Sequence, residues 1–281
     1  MASVFEILVS AVRERRAILF AGAGLSMSVG LPSWRQLVDH MCAELDLDPS
    51  SPPAGEISYQ TLAEYYRLQK GSIGPLRSWM DRNWSVSEDQ VRDSKVHELV
   101  VSLDFPIIYT TNFDANLEVA YRLAGLDYVK IASARDIAKA RDDVTQIVKF
   151  HGDFEEDASL VIAETDYFNR LNFETPLDVK LRADALAKPV LFIGYSMTDL
   201  NIRLLLHRLW QMWRDSGQEK ERPHSFVFMP AGNPVQQAVL GQWGITVLSG
   251  REDGPEEALI RFLEELQDKV GCSGSQRAVP R

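Results

Sequence analysis

Apolar residues along this chain gather in short, nearly continuous runs. They fall at Ala17 to Ala21, Phe105 to Thr110, Ile147 to Phe150, Pro189 to Gly194, Phe226 to Met229 and Ile245 to Leu248. A run of this length without polar alternation suits a strand covered on both faces. Between the runs, apolar positions recur at helical spacing, as over 199–213 and 256–269. Strands separated by helices pair in parallel through right-handed crossovers. The pattern predicts an α/β fold, a Rossmann-like doubly wound parallel sheet.

One interval breaks the rhythm. About eighty residues separate the first run from the second, far more than one crossover helix needs. Helical segments are predicted near 34–46, 57–70, 74–83 and 90–102, with a Pro/Ser/Gly-rich turn at 48–55. A small helical subdomain, inserted at about 35–102, accounts for the excess and would cap a cleft. One domain over 1–270 is expected, followed by a disordered tail at 271–281 that lacks periodicity. The first residues, MASVFEILVSAVRERR, read as an amphipathic helix and not as a signal peptide.

Composition narrows the function. The net charge is −10, which argues against a nucleic-acid phosphate groove. No run approaches the roughly 20 apolar residues of a membrane span. Cys42 and Cys272 are far apart and form no CxxC pair, so neither a zinc ribbon nor a disulfide framework is expected. A cytoplasmic protein without a bound metal is the expectation.

Candidate chemistry sits where the runs end. Gly22-Ala23-Gly24-Leu25-Ser26 follows the first, and such a turn lets backbone amides approach a pyrophosphate. Met27 breaks a full GxGxxG, and no Lys-Ser/Thr follows to make a Walker loop. Gly30-Leu31-Pro32-Ser33-Trp34 comes next, with Ser33 placed to cap a helix from Trp34. Thr110-Thr111-Asn112-Phe113-Asp114 ends the second run, and His151-Gly152-Asp153 ends the third. His151 is a candidate general base, whereas His40, His97, His207 and His224 fall in helical patterns or a loop. Gly194-Tyr195-Ser196-Met197-Thr198-Asp199 ends the fourth, with Asp199 as a candidate helix cap. Open α/β sheets bind ligands at this edge, and four such turns converge on it.

In this order and spacing the motifs resemble the sirtuin family, over roughly residues 16–250. Gly22 to Ser26 matches its GAGxS, Gly30-Leu31-Pro32 its GIP, Thr110-x-Asn112-x-Asp114 its TxNxD, His151-Gly152 its HG, and Gly194-Tyr195-Ser196 its GxS turn. The four-cysteine zinc ribbon of protein deacylases is missing, and Ser33-Trp34-Arg35 replaces their acidic-Phe-Arg segment. The chain is more similar to the prokaryotic sirtuin-like NADases of anti-phage defence. That resemblance implies an NAD hydrolase giving nicotinamide and ADP-ribose. It implies a homo-oligomer working with a partner such as a hexameric ATPase or an Argonaute-like protein. It implies that Asn112 positions ribose and water, that Asp114 with the Phe113 backbone holds the nicotinamide carboxamide, and that His151 is the base. Gly22, Ala23, Gly24 and Ser26 would bind the pyrophosphate, Gly194 and Ser196 would lie toward adenosine, and Pro32 and Thr110 complete the NAD-binding set. A catalytically quiet NAD or ADP-ribose sensor and a protein deacylase stay open as alternatives.

Overall fold

The computed structural model describes residues 4–50, 57–156, 159–172, 174–195, 197, 199–250 and 254–271. Ser196, most of the Pro/Ser/Gly-rich turn and the tail from 272 onward lie outside the described residues. Seven strands form one sheet: β1 (Ile18–Ala21), β2 (Ile107–Thr110), β3 (Tyr128–Ile131), β4 (Thr145–Lys149), β5 (Val190–Ile193), β6 (Ser225–Met229) and β7 (Ile245–Ser249). They lie in the order β3-β4-β2-β1-β5-β6-β7, and every pairing is parallel. The sheet is the doubly wound α/β arrangement that the apolar runs predict.

Alternate residues of each strand feed two separate layers, as the period of two requires. Leu19, Ala21, Ile108 and Leu191 pack beneath α1 (Val4–Arg13), α6 (Glu88–Arg92), α7 (Lys95–Ser102), α8 (Asn116–Leu123) and α14 (Pro255–Gly271). Ile18, Phe20, Tyr109 and Phe192 pack on the other face beneath α9 (Ala134–Ile137), α11 (Pro176–Ala187), α12 (Leu200–Asp215) and α13 (Pro234–Gln242). Burial of each large side chain such as Phe20 contributes about 1.5–3 kcal/mol.

A third apolar cluster stands apart from the sheet. It joins α3 (Trp34–Glu44), α4 (Tyr59–Lys70) and α5 (Gly74–Asn83) to Phe113 and to Leu160, Ile162 and Ala163. The predicted helix at 90–102 is two helices, because Ser94 caps a fresh start: its hydroxyl accepts from the His97 N–H. Two further short helices are α2 (Ala23–Met27), directly after β1, and α10 (Glu164–Asn169), beside α4. Among the described residues no helix is long and apolar enough to cross a membrane.

Candidate active site

Chain order reverses direction between β1 and β5, so the crevice at their carboxyl ends is a topological switch point. Ala21 stands abreast of Thr110 and of Ile193, and Thr110 abreast of Lys149. The four turns singled out in the sequence therefore leave the sheet side by side. A cavity of about 610 Å³ opens above them, within the range of small-molecule sites. Ala23, Gly24, Ser26, Pro32, Asn112, Phe113, Asp114, His151 and Gly194 all line it.

Gly22 and Thr110 stand behind the cavity wall. The glycines of β1 and β5 are in contact with each other. Gly22 N–H donates to the Ile193 carbonyl and Gly24 N–H to the Gly194 carbonyl, each at 2.9 Å. A Cβ on Gly22 would come within 2.4 Å of the Gly194 carbonyl oxygen, and one on Gly194 within 2.8 Å of the Leu25 nitrogen. Gly194 also has φ +60°, a conformation that side chains disfavour. Backbone packing therefore demands these glycines, whatever they also do for a phosphate.

Asn112 is oriented by partners that leave it no choice. Its Nδ2 lies 2.9 Å from the Gly22 carbonyl, which can only accept, so nitrogen must face that way. The same Nδ2 reaches Ser26 Oγ at 2.7 Å, and Ser26 Oγ donates to Asp114 Oδ2 at 2.6 Å. With both amide hydrogens committed, Oδ1 is the atom left to a ligand. Thr110 Oγ1 accepts from Asn112 N at 3.0 Å and steadies the same loop. Asp114 is buried, and its Oδ1 accepts from Asn116 N at 3.1 Å. Beneath it, the buried Lys149 ammonium donates to the Asp114 carbonyl and lies 3.6 Å from Glu118. Burial pushes the Glu118 carboxyl above its usual range, with Lys149 opposing.

His151 is 2% exposed. Val161 N–H donates to its carbonyl at 2.8 Å, and Gly152 follows with φ +97°. A Cβ at Gly152 would come within 2.3 Å of the Ser159 carbonyl oxygen, so the HG pair is fixed by a tight return of the chain. The imidazole meets Tyr167 edge-on, with ring centroids 5.4 Å apart. Behind it Arg170 donates to the Phe150 carbonyl and to Asp178, its guanidinium 3.9 Å from the Phe150 ring centroid. Burial pulls the His151 pKa from its ordinary 6.5 down to about 4; Asp199 opposes that shift and Arg170 reinforces it. The ring is therefore neutral at physiological pH.

The helical layer supplies the remaining walls. Trp34, Trp84 and Tyr59 line the cavity, and Trp84 stacks on Phe113 at 6.2 Å. Ser33 starts α3 as expected, its N–H donating to Gln36 Oε1 at 3.0 Å. Arg35 lies on the rim, bonded to Asp39 at 3.1 Å. Gln60, Tyr167, Tyr195 and Asp199 also line the cavity, and sequence reasoning gave none of them a place there. Asp199 and Tyr195 sit inside a motif it did single out, but the helix cap was reason enough for the aspartate. Tyr167 and Gln60 carry no signal that could have found them.

A family model described as a SIR2-like domain matches residues 106–248, just over half of the chain. A protein of Enterococcus faecium named NAD(+) hydrolase ThsA is 33% identical over 217 residues, covering 76% of this chain and 43% of the relative. One of the same name from Bacillus cereus (strain MSX-D12) is 31% identical over 218 residues, with the same coverage of 76% and 43%. Defense-associated sirtuin 2 of Bacillus subtilis is 26% identical over 211 residues, covering 73% of this chain and 20% of the relative. The chain thus spans less than half the length of these curated relatives.

Proposed function

The chain belongs to the SIR2-like domain family, and from that premise we propose that it hydrolyses NAD to nicotinamide and ADP-ribose as part of a prokaryotic anti-phage defence system. One observation carries the reading: a single switch-point cavity is lined by Asn112, His151 and the turns after β1 and β5. The names of the relatives, NAD(+) hydrolase and defense-associated sirtuin, support it.

In this reading NAD is the substrate. The C1′–nitrogen bond breaks, its electron pair leaves with nicotinamide, and positive charge develops on the ribose. Fixed carboxylates stabilise such charge in a cavity closed to water. Asp114 and Asp199 line the walls, and the one Lys or Arg among the lining residues is Arg35, which pairs with Asp39. Asn112 Oδ1 accepts a hydrogen bond from a ribose hydroxyl or from the attacking water. His151, neutral at the start, takes the proton that the water gives up as it bonds to C1′. Asp114 acts through Ser26 to hold Asn112, and its backbone neighbour Phe113 is available to the carboxamide. The turn of residues 22–26 at the start of α2 faces the pyrophosphate, with Pro32 closing the same side and Gly194 toward adenosine; the family resemblance assigns Ser196 a role there as well.

Purified protein incubated with NAD is expected to release nicotinamide, read by chromatography. Asn112→Ala and His151→Ala should each lower the rate by about 10²–10⁴-fold while the fold, read by circular dichroism, is kept. Normal turnover in both variants would overturn the assignment. A homo-oligomer, and a switching partner of the hexameric ATPase or Argonaute-like kind, belong to the same proposal. They are tested by whether NAD loss depends on the protein that co-purifies.

A further inference from the structure

Asp199 caps α12, and the cap uses only one of its oxygens. Oδ1 accepts from the N–H groups of Asn201 and Ile202 at 2.9 and 3.2 Å. Oδ2 is outside the cap and lies 3.6 Å from His151 Nε2. That ring nitrogen is enclosed and has no hydrogen-bond partner among the described residues. The other groups around the imidazole cannot take Asp199's place. Arg170 is a cation, Asp178 is bonded to it and to Thr175, and Tyr167 presents a ring edge. The Tyr195 phenol is held un-ionised by burial, with Asp199 adding to the effect.

We propose that Asp199 is the positioning residue of His151, holding the Nε2–H tautomer through Oδ2 so that Nδ1 offers its lone pair to the substrate. The inference rests on the proposed NAD cleavage. As the attacking water bonds to C1′, its proton passes to Nδ1, and the imidazolium so formed carries its charge beside the Asp199 carboxylate. Asp199 itself gains no proton. A separation of 3.6 Å in the free protein suits a bond that tightens when substrate arrives. The α12 N-terminus holds the carboxylate in place and favours its charge.

Asp199→Asn separates the two roles of this side chain. Asparagine caps a helix about as well as aspartate, so folding is kept. Its carbonyl must take over the cap, which turns the NH2 group toward His151 and forces the opposite tautomer, Nδ1–H. Nicotinamide release by the variant is expected to fall in kcat by at least about 100-fold, with KM unchanged. Nitrogen-detected NMR of the imidazole at pH 7, assigned with His151→Gln, should show Nε2–H in the original protein and Nδ1–H in the variant. An unchanged kcat, an unchanged tautomer, or Nδ1–H in the original protein would each overturn the proposal. Should the original protein release no nicotinamide even with its co-purifying partner present, the NAD-cleavage reading fails by itself, and the tautomer comparison still decides the role of Asp199.

Discussion

His97 and His151 are imidazoles kept from water. His97 is buried in the first turn of α7, its Nδ1 2.9 Å from Ser94 Oγ, and burial lowers its pKa from 6.5 to about 4 despite Asp114 nearby. His151 shifts to about 4 for the same reason. In the unfolded chain both take up protons near 6.5. Between that pH and 4 the unfolded state binds more protons, so stability falls as pH drops and levels off at either end. Each histidine costs the fold up to about 3 kcal/mol by pH 4. Urea midpoints of His97→Gln, compared at pH 7 and pH 4.5, should show a smaller acid loss than the original protein; an equal loss would contradict this origin. The same shift predicts that kcat/KM for NAD lacks a limb near pH 6.5, because neutral His151 persists until pH falls toward 4. Asn112 and His151 were legible in the sequence because a polar residue ending a buried strand stands out. Asp199 was only half legible: a helix cap explains an aspartate fully, and nothing local reveals what its second oxygen faces.

Strands buried on both faces announce themselves as unbroken apolar runs, and five of the seven were readable that way; the edge strand β7 was readable too, from its run Ile245 to Leu248, although only Ile245 is buried. The seventh, β3, reads Tyr-Val-Lys-Ile and lies at the sheet edge, where its first three residues are only partly buried. An edge strand needs no apolar run, so no run marked it. The break between α6 and α7 escaped for a related reason, since helical spacing continues across it while Ser94 restarts the ladder. Glycine meaning was also incomplete in the sequence. The sequence places Gly22 and Gly24 near a phosphate and Gly194 toward adenosine, while the contact between their turns spans more than 160 residues of chain. Gly194→Ala should therefore destabilise by about 2 kcal/mol or more, from its left-handed φ and from the clash with the α2 backbone. Thermal melting checks this, and a variant as stable as the original would show that the two turns can part. Lys149→Met tests another long connection. Loss of the ammonium that anchors the Asp114 carbonyl leaves Glu118 without its charge partner, and a buried unpaired charge costs about 3–5 kcal/mol unless the carboxyl protonates.

At the scale of the molecule, Phe113 joins two bodies that the sequence separates by their periodicity. It ends the β2 turn, yet its ring belongs to the apolar cluster of α3, α4 and α5. Truncation by Phe113→Ala should cost about 3–5 kcal/mol and loosen the wall that carries Trp34 and Trp84. Tryptophan fluorescence during urea unfolding would report a separate early transition of that layer, where the original protein shows one. The interlocked turns of β1 and β5 have the opposite character. They touch backbone to backbone, with the Tyr195 ring set against Gly22 beside the contact. Whatever spans them is measured against a gauge of fixed length, so adaptation to a longer or shorter ligand has to come from the helical wall and not from the floor.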